Sequence, residues 1–300
     1  MSEWLSWNTV GPALHAELDL REPGKILLSV SNSLFSTDGN DSFTLLVTSK
    51  TSPIFAFYQL NDSSIVVADR YLRCLHLYDR ISSKFYHYSG KCESAGTGEI
   101  VDGNKNEAVM PYVVDIIKGE GLTYSRKLLF VDYIHRAIRH VDTYDQGVKT
   151  LYRSEHELLT LCWEFGTNNI LVGGKSDIKR FKLDQLEISP TTIAGTVKLD
   201  ISNIQVDGPL LKARIKKPFR MIHVIENMYI VATSAGLRVL DLTNELITTL
   251  CDLETTEPII GGNLTSCKTS PYIRSLALTK DFLFFVSQYH YFQVGQIPSK

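Results

Sequence analysis

A spacing that occurs twice constrains this chain more than any single residue. Ala95-Gly96-Thr97 is followed by Val101-Asp102-Gly103, Ala108 and Pro111, and Ala194-Gly195-Thr196 by Val206-Asp207-Gly208, Ala213 and Pro218. Fainter copies are Gly11, Ala16 and Pro23, and Gly262, Cys267 and Pro271, where a small residue again comes five positions after a glycine and a proline soon after that. Recurrence on this scale marks an array of supersecondary units, each too small to bury its own apolar face without its neighbours.

The segments after each proline have strand chemistry. Short β-branched and aromatic runs such as Ser64–Asp69, Lys127–Asp132, Asn169–Gly174 and Met228–Thr233 each lead through a turn into a second run ending near Asp79, Asp142, Asp184 or Asp241. The recurring aspartates are expected to cap hairpin amides. Unit starts fall near 23, 53, 111, 158, 218 and 271, roughly one per 50 residues. The pattern predicts an all-β fold, a β-propeller of six four-stranded blades forming a single domain over residues 1–300. A β-sandwich would not repeat a proline-led unit. The last unit supplies strands near 273–278, 282–287 and 291–297 and stops one short. Residues 3–10 are expected to complete it, closing the ring and removing an open edge.

The stretch from Val101-Asp102-Gly103 through Ala108 and Pro111, then Leu129-Phe130-Val131-Asp132 and His135-Arg136-Ala137-Ile138-Arg139 to Asp142, resembles the NHL repeat. The resemblance implies a propeller. Proteins with this repeat include RNA-binding regulators, a peptide-amidating lyase and extracellular or scaffold modules, so it does not choose a function.

In a four-stranded meander the loops after strands two and four share one rim. The long inserts 89–110, 194–217 and 253–270 come after fourth strands, which makes that rim the expected binding face. Arg70, Tyr71, Tyr133, His135, Arg136, Lys175, Tyr289, His290 and Tyr291 fall in its loops, and aromatic and arginine side chains are the usual anchors of a partner. The expectation is a non-enzymatic, monomeric interaction platform that binds a protein through this face and needs no cofactor.

Two alternatives stay open. Lys212, Arg214, Lys216, Lys217 and Arg220 form a basic run that could meet RNA, although 31 Lys plus Arg against 33 Asp plus Glu leave a formal charge of −2, and stacking rings are not interleaved with the run. A metal-dependent lyase would require several of the eight histidines to gather on the axis; they lie in different units and show no zinc-site spacing. Gly173-Gly174-Lys175-Ser176 sits between two strands and reads as a hairpin turn. No catalytic residue or metal ligand is nominated.

Compartment is left open by the sequence. No apolar run approaches the ~20 residues that span a bilayer, and Glu3, His15, Glu17 and Asp19 do not resemble a secretory leader. Against this, Cys74 with Cys92 and Cys251 with Cys267 fall where local disulfides are geometrically possible, leaving Cys162 as a buried free thiol. Asn40, Asn61 and Asn263 begin glycosylation sequons in expected loops.

Overall fold

The computed structural model describes residues 13–22, 24–38, 43–50, 53–92, 99–110, 112–185, 189–196, 205–253, 268–269, 273–278, 283–287 and 291–294. They form antiparallel meanders. The first blade comprises β1 (Ala13–Leu18), β2 (Ile26–Val30), β3 (Ser33–Thr37) and β4 (Phe43–Thr48); the second β5 (Ile54–Asn61), β6 (Ser64–Asp69), β7 (Cys74–Asp79) and β8 (Lys84–Ser89). The third is β9 (Val113–Lys118), β10 (Lys127–Asp132), β11 (Ala137–Asp142) and β12 (Val148–Arg153), with the single-turn helix α1 (Gly121–Tyr124) inside its first hairpin. The fourth is β13 (Leu158–Trp163), β14 (Asn169–Gly174), β15 (Asp177–Lys182) and β16 (Thr191–Gly195). In the fifth, β18 (Pro218–Ile225), β19 (Met228–Thr233), β20 (Gly236–Asp241) and β21 (Leu246–Leu253) are joined by the two-residue strands β17 (Gly208–Pro209) and β22 (Lys268–Thr269), both on β21. The last sheet is three-stranded, made of β23 (Ile273–Leu278), β24 (Leu283–Ser287) and β25 (Tyr291–Val294).

This is a β-propeller, with first strands innermost. β1 touches β5, β5 touches β9, β9 touches β13, β13 touches β18, and β23 touches both β18 and β1. Apolar clusters fill the spaces between neighbours, for example Leu27 and Leu34 with Phe57 and Ile65, and Leu129 and Ile138 with Leu161 and Ile170. Because blades stack face to face, both faces of a middle strand are covered, and β2 and residues 128–132 of β10 are buried throughout. The aspartates cap turns as expected: carboxylate oxygens of Asp69, Asp132, Asp142 and Asp241 accept backbone N–H bonds from Leu72, His135, Tyr144 and Thr243.

The twofold repeat is a clamped insert. Arg139 on β11 is fully buried and donates to the Val101 and Val109 carbonyls (2.8 and 2.6 Å) and to Asp102 (2.9 Å). Arg238, at the same place on β20, is also fully buried and donates to the Val206 and Arg214 carbonyls and to Asp207. Each aspartate accepts in addition the backbone N–H and hydroxyl of a threonine on the fourth strand, Thr150 or Thr249. The small residues of the repeat, Ala108 and Ala213, plug the cores between blades two and three and between four and five.

Two expectations need correction. Five blades, not six, have four strands; the last sheet has three among the described residues, and residues 3–10 lie outside them. The first blade begins at Ala13 and not near Pro23, because Ala16 is itself inside β1, so that fainter copy of the spacing is not a clamped insert. Cys74 and Cys92 are disulfide-bonded, and Cys162 is free and buried. Cys251 is also disulfide-bonded; Cys267, the partner expected from the sequence, lies outside the described residues. No helix among the described residues is long and apolar enough to cross a membrane.

The clamp predicts a stability cost. Asp102→Ala should lose about 2 kcal/mol, less than for a fully buried pair because the Asp102 side chain is 42% exposed. Urea unfolding should show a lower midpoint at unchanged slope. An unchanged midpoint would mean that the carboxylate does not hold the insert.

Candidate functional site

Each of the six first strands carries a register slip near its start. Opposite the second strand, Ala13 pairs with Val30 and His15 with Ser29, leaving Leu14 extra; Val114, Leu159, Phe219 and Arg274 are left over in the same way in β9, β13, β18 and β23, and Phe55 lies within the slip of β5. A bulge turns a side chain away from the direction that alternation would impose. These six side chains, from six sheets, line one cavity of about 550 Å³ at the axial mouth.

Residues just before the first strands, Tyr112, Glu157 and Lys217, add to the wall, and Arg70 and Tyr133 reach in from loops after second strands. Tyr112 lies 5.7 Å from the Tyr133 ring and 6.1 Å from Phe55. The Arg70 guanidinium stacks 3.8 Å from the Tyr112 ring centre and 5.0 Å from Phe55, while Arg274 lies 4.6 Å over Phe219. Such stacking fixes long side chains that would otherwise lose entropy on binding. Glu157 also borders a smaller cavity of about 230 Å³, lined by Arg136, Glu155, His156, Lys175, Ser176 and Asp177.

Directly beneath the bulges lies a buried polar layer made of His15, Asp115, Thr160, Arg220 and Ser275. Arg220 pairs with Asp115 and lies 3.4 Å from Glu17. The other Asp115 oxygen accepts from the Thr160 hydroxyl (2.7 Å) and the Leu161 amide (2.8 Å), and Ser275 accepts from the Ala16 amide (3.0 Å). Below this layer a second cavity of about 330 Å³, bordered by Glu17, Tyr58, Gln59, Arg220 and His223, opens to the other side. The Arg220–Asp115 pair therefore plugs the axis between two mouths.

The residues expected on this rim are distributed between two cavities and the surface. Arg70 and Tyr133 line the axial cavity, and Arg136 and Lys175 the adjoining one. Tyr71 is exposed, and His135 is drawn to the Asp132 carboxylate at 3.2 Å. Tyr289 and His290 lie outside the described residues, and Tyr291 opens β25, its side chain outside them as well. The basic run does not form one surface: Arg220 is buried on the axis, Lys217 faces the cavity, Arg214 and Lys216 are half-buried, and Lys212 alone is exposed. His15 is in the axial layer, whereas His223 stacks on Phe165 and bonds the Glu226 carbonyl, and His76, His87 and His140 lie on outer strands. Phe55, Tyr112, Glu157, Phe219 and Arg274 were missed. Five first strands carry a polar residue in third place, His15, Asp115, Thr160, Arg220 and Ser275, a pattern that marks the axial layer but not the bulged residue before it.

Burial sets the protonation of the axial layer. It pushes Glu17 from its ordinary 4.5 up to about 7 against the pull of Arg220, and holds His15 down from 6.5 to about 3, Arg220 adding to the effect. The folded protein thus keeps the Glu17 proton where the unfolded chain has lost it, so ionising Glu17 removes stability as pH climbs from 4.5 to about 7. His15 acts oppositely, removing stability as pH falls from 6.5 towards about 3. Glu17→Gln should therefore gain on the wild type as pH is raised through the Glu17 window, measured by urea unfolding at several pH values. A pH-independent difference would show that Glu17 titrates normally.

No protein-family model and no curated protein matches the chain. Solved structures do share its fold. A protein of unknown function from Bacteroides thetaiotaomicron VPI-5482 is 12% identical, with a TM-score of 0.69 over 95% of this chain and 70% of its own. An auxiliary nutrient binding protein from the same bacterium is also 12% identical, with a TM-score of 0.67 over 95% of this chain and 69% of its own. At that identity the likeness concerns the fold alone: this chain is an all-β propeller.

Proposed function

We propose that this protein is a non-enzymatic binding propeller that receives a protein partner on the face carrying the loops after second and fourth strands, an acidic side chain or chain-end carboxylate of the partner seating in the axial cavity. The supporting observation is the convergence of six bulged residues with Arg70 and Tyr133 on a single cavity of about 550 Å³, a size within the usual range for ligand pockets. Arg70 and Lys217 face one carboxylate, Glu157, so the lining favours a negative group. The aromatic rings offer the rigid apolar wall on which interface anchors pack. RNA is the weaker reading because the basic run is divided between axis, cavity and surface.

The finer details of the fold belong to the same proposal. Residues 3–10 supply a fourth strand to the sheet of β23–β25, residues 1–300 form one monomeric unit, and the repeat is of NHL type. The support for the fourth strand is that β23 already packs between β18 and β1, and that β1 begins at Ala13, shortly after those residues.

Partner capture from a native extract tests the binding face. Wild-type protein and the control Ile81→Ser, at a residue 80% exposed in a third-to-fourth-strand turn, should retain the same partner. The double variant Arg70→Ala with Tyr133→Ala should bind it at least tenfold more weakly, as expected for anchor residues. Undiminished affinity of the double variant would remove this face from consideration.

A further inference from the structure

We propose that Cys74, Cys92 and His76 form a thiol-gated metal site, closed as a disulfide in the oxidised protein and able to hold a zinc-like cation once reduced. Among the described residues they are the one group of three metal-type ligands whose ligand atoms all lie within 4.8 Å of one another. The disulfide explains the two sulfurs but not the histidine. His76 comes two positions after Cys74 on β7, and its Nε2 lies 3.5 Å from the Cys74 sulfur. Behind it the Asp69 carboxylate, paired in register with Cys74, comes within 3.7 Å of the same nitrogen. Two cysteines, a histidine and a carboxylate are a donor set that zinc takes in tetrahedral geometry.

The backbone brings these groups together. Gly90 adopts φ +97, and a Cβ there would lie 2.4 Å from Met110 and 3.1 Å from the Cys74 side chain. That close pass returns the chain so that Cys92 meets Cys74. Access exists from two sides. Cys92 is exposed, and a cavity of about 430 Å³ between blades one and two is bordered by Asp69 and His76.

The opening step balances with a dithiol reductant. Its thiolate attacks the exposed Cys92 sulfur, the Cys74–Cys92 bond breaks, and Cys74 departs as a thiolate. The reductant's second thiol then displaces Cys92, leaving the reductant as a disulfide and the protein two electrons richer. A divalent cation binds the two thiolates, and any protons they carried pass to solvent.

The test is zinc titration of the full chain after reduction and desalting, with an oxidised sample and a Cys74→Ser/Cys92→Ser variant alongside. That variant measures any metal held by Cys251 and Cys267. Reduced wild type should bind one equivalent more than the serine variant, the oxidised protein should lack that equivalent, and His76→Ala should weaken it at least tenfold. Zinc should also protect Cys74 and Cys92 of the reduced wild type from alkylation, read by peptide mass. Equal uptake by wild type and serine variant, or unchanged affinity in His76→Ala, would overturn the proposal, as would undiminished alkylation in the presence of zinc.

Discussion

One guanidinium stands where the blades meet. Arg220 on β18 pairs with Asp115 on β9 and approaches Glu17 on β1, and Asp115 in turn holds Thr160 on β13. Four sheets far apart in sequence are thereby tied at a single level of the axis. Desolvating Arg220 and Asp115 costs several kcal/mol per ion, so this centre is a weak source of net stability. Its geometry is demanding, however, because each blade must present its strand at one height for the bonds to form. The centre thus fixes how the first strands are aligned, and the cavity above inherits that alignment.

A pair of arginines acts at the periphery. Arg139 and Arg238 are buried completely, and each clasps carbonyls of an insert. The aspartate on the insert neutralises the guanidinium and also accepts from the fourth strand. One carboxylate thereby joins insert and blade. The same device appears in blades three and five, whose inserts seat Ala108 and Ala213 in neighbouring cores. Both inserts are therefore held by the framework at their bases.

These features were unequally legible in the sequence. The repeat spacing located the starts of β5, β9, β13, β18 and β23 within two residues, since proline and apolar runs mark strand beginnings directly. It misplaced β1, where a small residue after a glycine arises from the strand itself. Chain direction placed Arg70 and Tyr133 in loops after second strands, and both border the axial cavity. The bulges could not be derived in this way. A slip of one position in pairing depends on how two strands meet in space, and nothing in Leu158-Leu159-Thr160 announces that Leu159 leaves the ladder. Arg220 was misjudged for a related reason: a cation at the end of a basic run looks solvent-exposed until its strand is known to line the axis.

Two kinds of recurrence separate in this molecule. Residues that recur in kind, such as Arg139 with Arg238 and Asp102 with Asp207, hold the framework. The positions that recur in place but change in kind are the bulges, filled by Leu14, Phe55, Val114, Leu159, Phe219 and Arg274. A structural requirement common to six strands would be met by similar residues at all six. Instead the ring of bulges is asymmetric, with rings and a cation on some sides and aliphatic groups on others. An asymmetric wall at a symmetric position orients whatever enters it, which a merely space-filling plug would not require. The axial cavity is for that reason a better candidate for selecting a partner than the clamped inserts, whose chemistry is the same in both copies.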